Sequence, residues 1–202
     1  SYSYADFSIV GSATSLTVPN GGETWMPGSR HTITWTPAPG ITHVKLKLLK
    51  GGAVERWISG STANTGSFSW FVPLDLAVAD DYRVQVYGVT DPTIVDNSDA
   101  DFSIIDSPLD FLLPATGGHI YAYNTTTFMW TATSGVENVK IKLLKGGQFY
   151  AWVTQSTPDT GVFSWYVPDA TPEGSDYRAM IYSVDDFTIV GYSGLFEVVW
   201  SK

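Results

Sequence analysis

The chain repeats itself. "VKLKLLKGG" at Val44–Gly52 returns 95 residues later as "VKIKLLKGG" at Val139–Gly147. "TGSFSWFVP" at Thr65–Pro73 returns as "TGVFSWYVP" at Thr160–Pro168, and Asp81-Tyr82-Arg83 as Asp176-Tyr177-Arg178. Trp35, Trp57 and Trp70 return as Trp130, Trp152 and Trp165. One register held along most of each half describes two copies of one folding unit. The 202 residues leave each copy about 100 residues, an ordinary domain size. The domains read as 13–106 and 107–202, preceded by an extra strand in residues 1–12. The connection Asp106-Ser107-Pro108 is short, and its proline stiffens the junction.

Within each copy the period is two. Val44, Leu46 and Leu48 alternate with Lys45 and Lys47, and Tyr82, Val84 and Val86 with Arg83 and Gln85. Phe68, Trp70 and Val72 alternate with Ser67 and Ser69. One apolar and one wet face describe antiparallel sheet with a single buried side. Gly51-Gly52 and Gly146-Gly147 suit tight hairpins, because both central residues of such turns take positive φ. Seven or so short strands in about 90 residues predict an all-β chain of two tandem immunoglobulin-like antiparallel β-sandwiches. Tyr82 and Tyr177 stand where such sandwiches carry a tyrosine corner. The repeated tryptophans Trp35, Trp57 and Trp70, with their partners, read as core. Lys45, Lys47, Lys140 and Lys142 lie opposite the apolar face and read as solvated.

"VPNGGETWMPGSRHTITWT", followed by "GSFSWFVP", "DYRVQV" and a closing "SDADFSI", resembles the secreted domain family named after yeast cell-wall proteins tied to β-1,6-glucan assembly, the Ser/Thr-rich GPI-anchored family. The second copy keeps the Gly-Gly and the Trp in "PATGGHIYAYNTTTFMWT" but lacks the Glu-Thr-Trp. The resemblance implies a β-sandwich, secretion and a role at the cell surface. It carries no catalytic motif, so it assigns no functional residue.

The 95-residue register also reaches the first residues: Asp6-Phe7-Ser8-Ile9 precedes Asp101-Phe102-Ser103-Ile104 by one period. Residues 5–10 therefore read as the closing strand of a further domain. Three readings are open. The chain is a segment of a longer array, or the strand Asp6, Phe7, Ser8, Ile9 and Val10 pairs with another copy as a donor strand, or the stretch is inert. Phe7, Ile9 and Val10 are costly to leave in water, which argues against the third. The partners expected are other copies of the chain, forming a homopolymer, or neighbouring domains of the same chain.

Composition narrows the function classes. The net charge is −9 without a basic cluster, which speaks against nucleic-acid and anionic-lipid binding. No apolar run is long enough to span a membrane. No charged n-region opens the chain, so a leader peptide is expected to have been removed or to lie outside this sequence. There are no cysteines, which excludes disulfides, thiolate metal sites and cysteine catalysis. His31, His43 and His119 do not repeat between copies, and no nucleophile elbow, phosphate loop or zinc helix is present. The expectation is a non-enzyme, extracellular or at the cell surface.

Weaker candidates complete the sequence reading. Asp96, Asp99 and Asp101 cluster in "DNSDAD", an oxygen-rich stretch of the kind that holds calcium, here without the glycine and glutamate of an EF-hand. No other cofactor is expected. Asn124-Thr125-Thr126 is a glycosylation sequon. Aromatics that do not repeat are candidates for contact with partners: Tyr121, Tyr123, Phe149, Tyr150, Tyr192 and Trp200, together with Phe187. They would anchor a protein interface or stack on sugar rings, cell-wall polysaccharide being the ligand in the second case.

Overall fold

The computed structural model describes residues 14–200; the donor-strand candidates Asp6–Val10 lie outside the described residues. The chain divides into two compact units; the last segment of the first ends at Ile105 and the long segment of the second begins at Asp106. No helix occurs among the described residues.

The first unit contains β1 (Ser15–Val18), β2 (Thr24–Trp25), β3 (Arg30–Thr36), β4 (His43–Lys50), β5 (Ala53–Ala63), β6 (Ser67–Phe71), β7 (Ala79–Gly88), β8 (Val95–Asn97) and β9 (Phe102–Ile104). Strands β1, β3 and β6 form one sheet; β2, β9, β7, β4 and β5, with β8 paired to β7, form the other. All pairings are antiparallel except β2 with β9. The second unit repeats this plan with β10 (Phe111–Leu113), β11 (His119–Ala122), β12 (Thr125–Trp130), β13 (Asn138–Lys145), β14 (Gln148–Pro158), β15 (Val162–Tyr166), β16 (Gly174–Ser183), β17 (Val190–Tyr192) and β18 (Phe196–Trp200). Each unit is an immunoglobulin-like sandwich.

The alternation in the sequence is the alternation in space. Val44, Leu46, Leu48, Val84 and Val86 are buried in the first unit, as are Val139, Ile141, Leu143, Ala179 and Ile181 in the second. Trp35 and Trp130 fill the space between the sheets, at 3% and 2% exposure. A buried indole N–H needs an acceptor. Trp35 Nε1 donates to Asn64 Oδ1 at 2.6 Å, and Trp130 Nε1 to Asp159 Oδ1 at 2.5 Å. The tyrosine corners are present: Tyr82 Oη donates to Ala77 O at 2.8 Å and Tyr177 Oη to Pro172 O at 2.7 Å. The two-glycine turns are tight. Gly51 and Gly52 have φ of 54° and 79°, Gly146 and Gly147 of 55° and 77°, so Lys50 faces Ala53 and Lys145 faces Gln148.

One expectation fails. Trp57 and Trp152 are not core; they are 52% and 37% exposed. The reason is a β-bulge, which inserts one unpaired residue and turns the next to the other face. Leu49 pairs with Val54 but Leu48 with Arg56, which passes over Glu55 and brings Trp57 opposite the outward Lys47, and Ile58 is passed over in turn before Leu46 meets Ser59. In the second unit Tyr150 and then Val153 are passed over in the same way. The skipped Val153 takes the inward place, at 8% exposure, and the tryptophan is turned out.

Candidate functional site: an aromatic and lysine face in each unit

The outward Trp57 does not stand alone. On the outer face of the larger sheet, Lys47 lies opposite Trp57, and Lys45 opposite Tyr87. The Trp57 and Tyr87 rings are 6.2 Å apart, and two ammonium groups approach both of them. Lys47 Nζ is 5.0 Å from the Trp57 ring centre and 4.7 Å from that of Tyr87; Lys45 Nζ is 5.8 and 5.9 Å from the same rings.

The second unit builds the same group one period later. Lys142 lies opposite Trp152, and Lys140 opposite Tyr182. The Trp152 and Tyr182 rings are 6.4 Å apart. Two further rings enlarge this face: Phe149, 5.6 Å from Trp152, and Phe187, 5.8 Å from Tyr182. Both are well exposed, at 55% and 63%. Lys142 Nζ lies 5.6 Å from the Tyr182 ring and Lys140 Nζ 5.8 Å from Phe187.

The lysines are therefore on the outer face, as their alternation predicts, but they are stacked against rings instead of standing free in water. Ring quadrupoles attract ammonium groups. None of these four lysines has a carboxylate at ion-pair distance among the described residues, whereas Lys50 pairs with Asp81 and Lys145 with Asp176. Burial holds the Lys142 ammonium below the ordinary lysine value, because desolvation disfavours the charged form and no anion offsets it. Burial likewise raises the Tyr182 hydroxyl above its ordinary value.

The other candidates are dispersed. Tyr121 and Tyr123 are exposed, at 50% and 52%, with Tyr123 at a φ of 67° in the turn after β11. Tyr150 turns inward and packs on the core, its ring 5.7 Å from Tyr177 in an edge-on contact, so it offers no ring to a partner. Tyr192 is half-buried on β17. Trp200 is exposed, yet its indole N–H donates to Thr171 O at 3.0 Å. Asn124 is exposed at the turn into β12.

The three aspartates have separate partners. Asp96 accepts from the Leu16 backbone N–H at 2.7 Å, Asp99 from Asn20 Nδ2 at 2.7 Å, and Asp101 pairs with Arg83. No group of three His, Asp or Glu side chains suited to a metal occurs among the described residues. The histidines are separate too. His31 stacks on Trp25 at 4.5 Å, His43 lies 3.2 Å from Thr42 Oγ1, and His119 pairs with Glu197 at 2.9 Å.

Comparison with known proteins bears on the fold. The family model described as the Kre9/KNH-like N-terminal Ig-like domain matches residues 18–104 and again 113–198. No curated protein matches the chain. Among solved structures, the chain is similar to the fibronectin(III)-like modules of Clostridium thermocellum CbhA, at 16% identity over 93% of this chain and 94% of that one, with a TM-score of 0.30. It is also similar to Bacteroides ovatus SGBP-B, a protein of a mixed-linkage glucan utilization locus solved in complex with a mixed-linkage heptasaccharide. The identity there is 13% over 95% of this chain and 46% of that one, with a TM-score of 0.31. The I9–I11 tandem of titin matches at 12% identity over 93% and 66%, with a TM-score of 0.32. At such identities and scores these likenesses carry nothing about function.

Proposed function

The chain belongs to the Kre9/KNH-like Ig-like domain family, and from that premise we propose that it is a non-catalytic extracellular structural protein, a subunit or segment of a cell-surface filament or stalk. Its sandwiches follow one another along the chain, and the strand at residues 5–10 is passed between domains or subunits. The observation that carries this reading is the repeat of Asp101-Phe102-Ser103-Ile104 at Asp6-Phe7-Ser8-Ile9. In the first unit that sequence is β9, which pairs with β7 and β2 and buries Phe102 and Ile104 fully. A second strand of the same pattern has the chemistry of a closing strand in search of a sheet.

Each unit already holds a closing strand, β9 or β18. An incoming strand must therefore displace one or add to an edge. Among the described residues β5 and β14 are such edges, 11 residues long and each paired on one side only. Sedimentation velocity of the full chain, with and without an excess of a synthetic peptide of residues 1–12, tests the reading. Concentration-dependent assembly that the peptide caps supports it. Assembly that the peptide leaves unchanged, or no assembly at all, refutes strand exchange between subunits and leaves only the strand passed between domains of one longer array.

A second reading is a carbohydrate-binding module of a secreted multidomain protein. The exposure of Phe149, Phe187, Tyr121 and Tyr123 in the second unit favours it, since flat exposed rings stack on sugar faces. Retention on immobilised cell-wall polysaccharides tests it, and no retention across neutral and charged polymers counts against it.

A further inference from the structure

We infer that the outer face of the larger sheet in each unit is a binding surface for uronic-acid polysaccharide, with Trp57 and Tyr87 in the first unit and Trp152, Tyr182, Phe149 and Phe187 in the second receiving sugar rings while the adjacent lysines pair with the ring carboxylates. The inference narrows the carbohydrate reading above and rests on it.

Three observations carry it. The first is exposure. A tryptophan on a sheet face is ordinarily buried by a neighbour, yet both units turn theirs outward through a bulge at the same place. The bulge costs ladder pairing in both copies, and its product each time is the same ring on the same face.

The second is charge. Lys45, Lys47, Lys140 and Lys142 are four of the 11 basic residues in a chain of net charge −9, and among the described residues no carboxylate satisfies them. Ring quadrupoles hold their ammonium groups above the face without neutralising them. A half-buried cation such as Lys142, held below its ordinary pKa by desolvation, gains most from an arriving anion. The complementary ligand is anionic, even though the protein as a whole repels anions.

The third is spacing. Each ammonium group lies 4.7–5.9 Å from the centre of at least one of these rings. A uronate carries its carboxylate directly on the pyranose ring. A ring stacked on the aromatic therefore sets its charge within one side chain's reach of the lysine. A neutral glucan would use the aromatics and leave the lysines idle; a sulfated polymer would use the lysines without needing the rings.

The test measures binding of the full chain to surfaces coated with polygalacturonate, dextran sulfate or dextran. Three variants are compared: Lys47→Gln with Lys142→Gln, Trp57→Ala with Trp152→Ala, and Lys50→Gln as control. Circular dichroism checks that each is folded. The expected result is retention on polygalacturonate above the other two surfaces, screened by salt. Loss of two partly shielded ion pairs makes the lysine variant roughly tenfold weaker, while Lys50→Gln is unchanged. Equal retention on dextran would leave the carbohydrate reading standing and overturn the uronate inference. Equal retention on dextran sulfate, or retention unaltered in the lysine variant, overturns it too. No retention on any surface overturns both.

Discussion

Tyr177→Phe tests the packing argument at one atom. The Tyr177 ring is fully buried, 6.2 Å from Phe196 and 5.7 Å from Tyr150, with the Lys145 ammonium 4.4 Å from its centre. Phenylalanine keeps every one of these ring contacts. Only the hydroxyl's bond to Pro172 O, 2.7 Å long, is removed. Pro172 is exposed, so water can take over its carbonyl, and the loss stays at about 1 kcal/mol, the net worth of a typical internal hydrogen bond. In a unit of about 100 residues that lowers the melting temperature by roughly 4–8 °C. The alkaline behaviour gives an independent reading. Burial pushes the Tyr177 hydroxyl up to about 12, from an ordinary value of 10.0. A group whose folded pKa is raised keeps its stabilising effect below the unfolded value and loses it as pH rises through the folded one. The stability of the native protein should therefore fall between about pH 10 and 12, and Tyr177→Phe should fall less over that window. Thermal unfolding followed by circular dichroism at pH 7 and across pH 9–12 measures both effects. An unchanged melting temperature at pH 7, together with an unchanged alkaline slope, would refute the corner's role.

Other substitutions separate core from face. Trp35→Ala removes a buried ring and should cost about 3–5 kcal/mol by urea unfolding, whereas Trp57→Ala, half-exposed, should cost about 1 kcal/mol. Equal losses would put Trp57 in the core after all. Gly52 has a φ of +79° and open space around it, so Gly52→Ala should destabilise by about 1 kcal/mol through backbone strain alone. Gly60, in open space without a positive φ, is the control: alanine there should be neutral or slightly stabilising in the same unfolding assay. Calcium should leave the melting temperature unchanged, because Asp96, Asp99 and Asp101 are each engaged by a different protein donor; a calcium-dependent rise would show that the three converge on an ion.

Most of the fold is written in local pattern. Residues such as Val44, Leu46 and Leu48 reveal their face because the β period is two, and Gly51-Gly52 marks its own turn because positive φ favours glycine. What the pattern hides is what breaks it. Counting outward from the Gly51-Gly52 turn puts Arg56 opposite Lys47. In the structure Glu55 is passed over between Leu49 and Leu48, which moves Trp57 into that place; Ile58 is then passed over in turn. A residue's face then depends on hydrogen bonds that no periodicity announces. The aromatic and lysine face was nonetheless encoded, since Lys45, Lys47, Trp57 and Tyr87 all recur one period later. Recurrence alone does not separate a residue kept for the core from one kept for the surface. Tyr150 fails for the opposite reason: an aromatic that does not repeat looks free for a partner, yet it supplies an edge to the buried Tyr177 ring.

The most direct test of the proposed architecture is electron microscopy of the full chain beside a chain starting at Ser12. Strand exchange through residues 5–10 predicts filaments from the full chain and single particles from the shortened one. Filaments from both, or from neither, would contradict it.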